Sequence, residues 1–165
     1  ANRSSAMNAT EEVKKNEFTF SQTGLQKEVM REANKAALTN ARNKSGQIGN
    51  TDNRSIHLHI PAGAISKDGP SAGVTAFCAL YSLFTQKKVR PFIAMTGEID
   101  LEENVLPIGG VKEKLIAAMR AGIKEVILPN DNKRDLHDVS EEVKSKLQFH
   151  FVSTLDEVIK IAFED

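Results

Sequence analysis

Apolar residues recur along the chain in two alternating rhythms, one of about two residues and one of about 3.6, which predict strands and helices in turn. Residues 17–20 alternate and predict a short strand. Thr23 then has the chemistry of a helix N-cap, with Gln26 three positions on to close a capping box. Leu25, Val29, Ala33, Ala36, Ala37 and Ala41 follow at helical spacing, predicting a helix from about Leu25 to Arg42. Residues 44–53, rich in Gly, Asn and Ser, read as an exposed loop. Residues 55–60 alternate again, placing Ile56, Leu58 and Ile60 on one face of a strand and His57 and His59 on the other.

From Ser71 to about Thr85 the pattern is helical but apolar nearly all round, through Val74, Phe77, Cys78, Leu80, Leu83 and Phe84. Such a helix belongs in a core. Residues 92–97 predict a buried strand and 105–108 another, across a turn at Glu102 to Asn104. A helix is expected from about Val111 to Ala121, a strand at 125–128, polar helical turns over 131–146 and a last strand at 147–152. Thr154 and Glu157 form a second capping box, opening a final helix whose Leu155, Val158, Ile159 and Ala162 face inward. Strands and helices interleave throughout, so one domain of mixed α/β or α+β character is expected over residues 17–165. Residues 1–16 are polar and patternless and suggest a frayed or added end.

Composition narrows the function classes. At 165 residues the chain can bury a core of its own. Twenty-two basic side chains balance twenty-two acidic ones, leaving no net field to draw nucleic acid or an anionic membrane. A lone cysteine, Cys78, cannot form an intrachain disulfide and sits in an apolar run suited to a buried thiol. No apolar stretch reaches the roughly 20 residues that span a bilayer, and residues 1–16 lack the apolar centre of a signal peptide. A cytoplasmic setting, or a mitochondrial matrix, is the expected compartment.

Candidate chemistry concentrates at Lys67-Asp68-Gly69-Pro70-Ser71-Ala72-Gly73. Pro70 suits a helix start, because its fixed φ is helical and its missing N–H is not needed there. Ser71 then falls in the first turn, where unpaired backbone N–H groups and the helix dipole hold negative charge. A hydroxyl attacking an amide at that point has an oxyanion site beside it. Gly69, Ala72 and Gly73 leave room for a peptide backbone to approach. Ser is also common at helix starts for purely structural reasons. Gly69-x-Ser71-x-Gly73 has the spacing of an α/β-hydrolase elbow as well, but that elbow needs a strand running straight into the serine. The preceding strand ends near Ile60.

A serine nucleophile needs a base. On the predicted helix after Gly110, Lys114 projects among Ala117, Ala118 and Ala121, while Lys112 lies between Ile116 and Met119. Helical spacing does not choose between them, since either could lay its stem along apolar surface. His57 and His59 could chelate a metal at i, i+2, but nothing supplies a clear third ligand, and a polar groove wall, beside which an extended substrate could add a strand, is the simpler reading. No metal and no cofactor are expected in this domain.

Three blocks together resemble the proteolytic domain of Lon-type ATP-dependent proteases. The first is the serine segment above. The second runs from Ala94-Met95-Thr96-Gly97-Glu98-Ile99 to Val105-Leu106-Pro107-Ile108-Gly109-Gly110-Val111-Lys112-Glu113-Lys114. The third is Pro129 through Asp135, with Asn132-Lys133-Arg134-Asp135. The resemblance implies a single α+β domain of the ribosomal-protein-S5-domain-2-like kind and a Ser–Lys dyad that hydrolyses peptide bonds, with Ser71 as nucleophile and Lys114, not Lys112, as base. Thr96 would aim the lysine amine, and Asp68 would form the turn or pair with Lys114 in an idle state. It also implies polypeptide substrates, a homo-hexameric ring, and ATP and Mg handled by an ATPase module, whose phosphate-loop motif this chain does not contain. A non-catalytic Lon-like assembly domain is the alternative, marked by loss of Ser71 or Lys114; both are present.

Lowering a lysine from about 10.4 to about 7 costs about 4 kcal/mol, within what burial supplies. Two departures from the family pattern stand out. Glu102-Glu103 occupies a turn where the family has Arg-Gly or Thr-Gly, and residues 1–16 lack a Gly-rich, Trp-containing opening strand.

Overall fold

The computed structural model describes residues 19–24, 28–46, 55–60 and 72–164. Strand β1 (Thr19–Gly24) leads to helix α1 (Glu28–Ser45) and strand β2 (Ser55–Ile60); β1 and β2 pair in parallel, Ser21 opposite His57 and Thr23 opposite His59. The apolar helix α2 (Gly73–Thr85) follows, then β3 (Ile93–Met95) and a short antiparallel hairpin of β4 (Glu98–Ile99) and β5 (Val105–Leu106). Helix α3 (Val111–Arg120) returns the chain to β6 (Glu125–Pro129). A 3-10 segment (Asn130–Asp138) and helix α4 (Glu141–Lys146) cross to β7 (Gln148–Val152), and helix α5 (Leu155–Ala162) closes the domain. Strands β3, β6 and β7 form one parallel sheet in that order. The class is mixed α+β, as the periodicities imply.

Strand β6 is buried on both faces, as parallel strands between helical layers are. Ile127 enters a hydrophobic cluster with Val74 and Phe77 of α2, Ala37 and Ala41 of α1, and Leu155 and Val158 of α5. Its neighbours Val126 and Leu128 point the other way, into a second cluster with Val111 and Leu115 of α3, Val139, Val143 of α4 and Leu147. Helix α2 thus belongs to one cluster and α3 to the other, with β6 between them. Thr154 caps α5 as expected: its Oγ1 accepts the Glu157 N–H at 3.4 Å, and Glu157 Oε1 accepts the Ser153 N–H at 3.4 Å.

Two expectations need correction. Thr23, expected at the start of the helix, has its backbone inside β1, because parallel pairing with β2 extends the strand through Gly24; the described helix begins at Glu28, and residues 25–27 lie outside the described residues. Helix α1 also runs past Arg42 to Ser45, taking in Lys44, which was expected in a loop. Lys44 is held there by two carboxylates distant in sequence, Glu103 at 2.5 Å and Asp156 at 2.7 Å.

Candidate active site

The end of β3 is where the elements carrying the candidate chemistry converge. Thr96 is buried, and its N–H is donated to Ile127 O of β6 at 3.2 Å, extending the parallel ladder by one residue. The next residue, Gly97, accepts the Val74 N–H at 3.1 Å, fastening the first turn of α2 to the strand end. Only glycine fits here, since a Cβ on Gly97 would lie 2.9 Å from both Val105 Cγ1 and Val74 Cγ2. Gly73 serves the same contact from the helix side: a Cβ there would lie 3.1 Å from Ile99 Cγ1 and 3.3 Å from Ile99 N. The small size of Gly73 therefore serves helix-to-strand packing.

Helix α3 brings Lys114 to the same strand end. Gly110 caps the helix with a left-handed φ of 71°, and its carbonyl accepts the Lys114 N–H at 3.2 Å. From this first turn the half-buried Lys114 side chain donates from Nζ to Thr96 Oγ1 at 3.4 Å. Lys112 is exposed instead, on the rim of a cleft of about 390 Å³ shared with Ile116, His137 and Val143. Helical spacing left the two lysines equivalent; a contact from another element separates them.

Asp68, Gly69 and Ser71 lie outside the described residues, as does the side chain of His59. Ala72, which follows Ser71 in the chain, is described: it caps α2 with φ −82° and ψ −1° and makes no side-chain capping bond. His57 is exposed on β2 and shares a 2.6 Å hydrogen bond, Nδ1 to Oγ, with Ser21 opposite it on β1. Among the described residues no group of three His, Cys, Asp or Glu side chains is arranged to hold a metal. Cys78 is buried in α2, and burial pushes its thiol up to about 12. It is an inert core residue.

The profile of the Lon protease (S16) C-terminal proteolytic domain matches residues 6–165. The chain belongs to that family. It is 51% identical over 148 residues to a Lon protease of Koribacter versatilis (strain Ellin345), covering 87% of this chain and 18% of the relative. It is 51% identical over 150 residues to one of Treponema pallidum (strain Nichols), covering 88% and 17%. The Lon protease of Methanosarcina barkeri (strain Fusaro / DSM 804) is 50% identical over 145 residues, covering 86% and 18%. The chain thus spans under a fifth of the length of these curated relatives. Membership of a proteolytic-domain family makes this a protease domain, and neither a non-catalytic assembly role nor an α/β-hydrolase esterase is favoured.

Against the Lon pattern, the Glu102-Glu103 turn has a structural account. Asp100 Oδ1 accepts the N–H groups of Glu102 and Asn104, both at 2.9 Å, and the turn between β4 and β5 places Glu103 at φ 70°. That is the left-handed region where glycine is at ease and a side chain costs about 1 kcal/mol. The Glu103 carboxylate offsets the strain by pairing with Lys44, whose amine is raised above 10.5 first by Asp156 and then by Glu103. Lys44 and Asp156 gave no signal in the sequence, since the contact joins α1, the hairpin turn and α5.

Proposed function

We propose that this domain cleaves polypeptides with Ser71 as nucleophile and Lys114 as general base. The observation that carries the reading is the convergence at Thr96–Gly97: Thr96 Oγ1 accepts from Lys114 Nζ at 3.4 Å, and Gly97 O holds Val74, three residues beyond Ser71. Two elements distant in sequence are thus tied to adjacent residues of one strand end.

In this mechanism an uncharged Lys114 amine takes the proton from Ser71 as Oγ attacks the scissile carbonyl. Negative charge develops on the carbonyl oxygen. Backbone N–H groups ahead of Val74 would receive it, since the Val74 N–H is committed to Gly97. Lys114 then gives the proton to the departing amine, leaving an acyl-serine, and withdraws one from the water that hydrolyses the ester. Thr96 fixes the direction of the amine. Unfolded or damaged proteins delivered by an ATP-dependent module, within a hexamer of a longer protein, are the substrates this reading implies.

Labelling by a fluorophosphonate tests it. The parent should be labelled at Ser71 and Ser71→Ala not at all. Lys114→Ala, which leaves Ser71 without its base, should be labelled far more slowly than the parent and should cleave a fluorogenic peptide at least about 100-fold more slowly. A Lys114→Ala variant that cleaves at the parent rate would refute the dyad.

A further inference from the structure

The Asn132-Lys133-Arg134-Asp135 block has no place in the chemistry so far. Its first residue is the odd one in its segment. Asn132 is 1% exposed, while Asp131, Lys133 and Arg134 around it are exposed. A buried amide costs free energy unless its hydrogen bonds are made, and here they are. Oδ1 accepts the Ile108 N–H at 2.9 Å, and Nδ2 donates to Ile108 O at 2.8 Å and to Asp135 Oδ2 at 2.7 Å. The pair on Ile108 is what a strand residue gives its antiparallel neighbour, supplied by a side chain.

What is clamped matters more than the clamp. Ile108 stands two residues before Gly110, and Gly109-Gly110 is a run of backbone that other restraints must hold. Gly110 caps α3, and its carbonyl receives the Lys114 N–H. The helical turn that bears Lys114 therefore starts within two residues of the Asn132 anchor. The anchor follows directly from β6, which ends at Pro129, and β6 also fixes Thr96 through Ile127 O. One strand is the common reference for the lysine and for the threonine that aims it.

We propose that Asn132 is a positioning residue for Lys114: by gripping Ile108 through both its N–H and its carbonyl, it sets the start of α3 and so the placement of the lysine amine against Thr96. The proposal rests on the reading of Lys114 as the general base. Asp135 supports it by accepting from Asn132 Nδ2, which fixes the amide with Oδ1 toward the Ile108 N–H.

The test compares Asn132→Ala, Asn132→Asp and Asp135→Ala with the parent in the intact protein. It measures kcat and KM for a fluorogenic peptide, the rate between pH 6 and 10, and the melting temperature. Displacement of a catalytic group by about 1 Å costs about 100-fold. Both Asn132 variants should accordingly lose about 10- to 100-fold in kcat, with KM within about twofold. The midpoint of the pH–rate curve should move upward, because a lysine displaced toward water returns toward its free value. Asp135→Ala should move kcat and midpoint the same way by a smaller factor.

A purely structural Asn132 would lower the melting temperature and leave kcat and the midpoint at the parent values; that result overturns the proposal. If the Asn132 variants do not fold, Asp135→Ala decides by the same two readouts. Failure of the dyad itself reads differently, as parent-level cleavage by Lys114→Ala.

Discussion

Lys114 Nζ and Thr96 Oγ1 lie 3.4 Å apart across 18 positions of sequence, joining the first turn of α3 to the end of β3. The hydroxyl can accept from the amine and still donate elsewhere, so it tolerates a lysine that changes charge during turnover. Thr96→Val keeps the shape and removes the acceptor. Loss of one such bond is worth about 1 kcal/mol, so kcat for peptide cleavage should fall about 5- to 10-fold. Thr96→Ser should retain most of the activity. Equal rates for the valine and serine variants would show that the hydroxyl does not aim the lysine.

Glu103 gives a second prediction, on stability. Glu103→Ala keeps the left-handed backbone and discards the pair with Lys44, so it should be less stable than the parent. Glu103→Gly discards the same pair but relieves the backbone, and should be more stable than Glu103→Ala by about 1 kcal/mol. Urea denaturation of the two variants measures the difference directly. A glycine variant no more stable than the alanine one would mean that the turn is not strained.

A third prediction concerns acid. Arg90 grips Glu125 with two guanidinium bonds of 2.8 and 3.1 Å, and His150 Nε2 is 2.8 Å from the same carboxylate. Arg90 first and His150 second hold Glu125 below its ordinary 4.5. A carboxyl group depressed on folding stabilises the native state above its unfolded value, and that contribution fades as pH falls through the folded value. The parent should therefore be more stable than Glu125→Gln at pH 6, and the gap should narrow steadily below about 4.5. Melting curves taken at pH 6, 4 and 3 test this; a gap of constant size would refute it.

Local signals in the sequence were sufficient where one element decides its own form. The apolar run over α2 could only be an interior helix, and Thr154 with Glu157 could cap α5 without help from elsewhere. They misled where a partner decided: Thr23 has good capping chemistry, but the ladder to β2 claims its backbone. The choice between Lys112 and Lys114 stayed open for the same reason, because the group that separates them, Thr96, lies on another strand. Glu103 stood out as a departure, but its partner Lys44 comes from α1 and is shared with Asp156 of α5. Asn132 could be noticed only as part of a familiar block, since nothing local reveals that a side chain will substitute for a strand. The serine segment was the most legible part of the chain, and Ser71, Asp68 and Gly69 fall outside the described residues.

With Ile127 packed into one hydrophobic cluster and Val126 and Leu128 into the other, β6 is a party wall between the two halves of the domain. Neither half can melt privately, because loosening one removes a flank from the strand that the other needs. Heat or denaturant should then dissolve both in a single cooperative step. Any lesion that weakens the packing around α2 is felt at α3, however far it lies from the lysine.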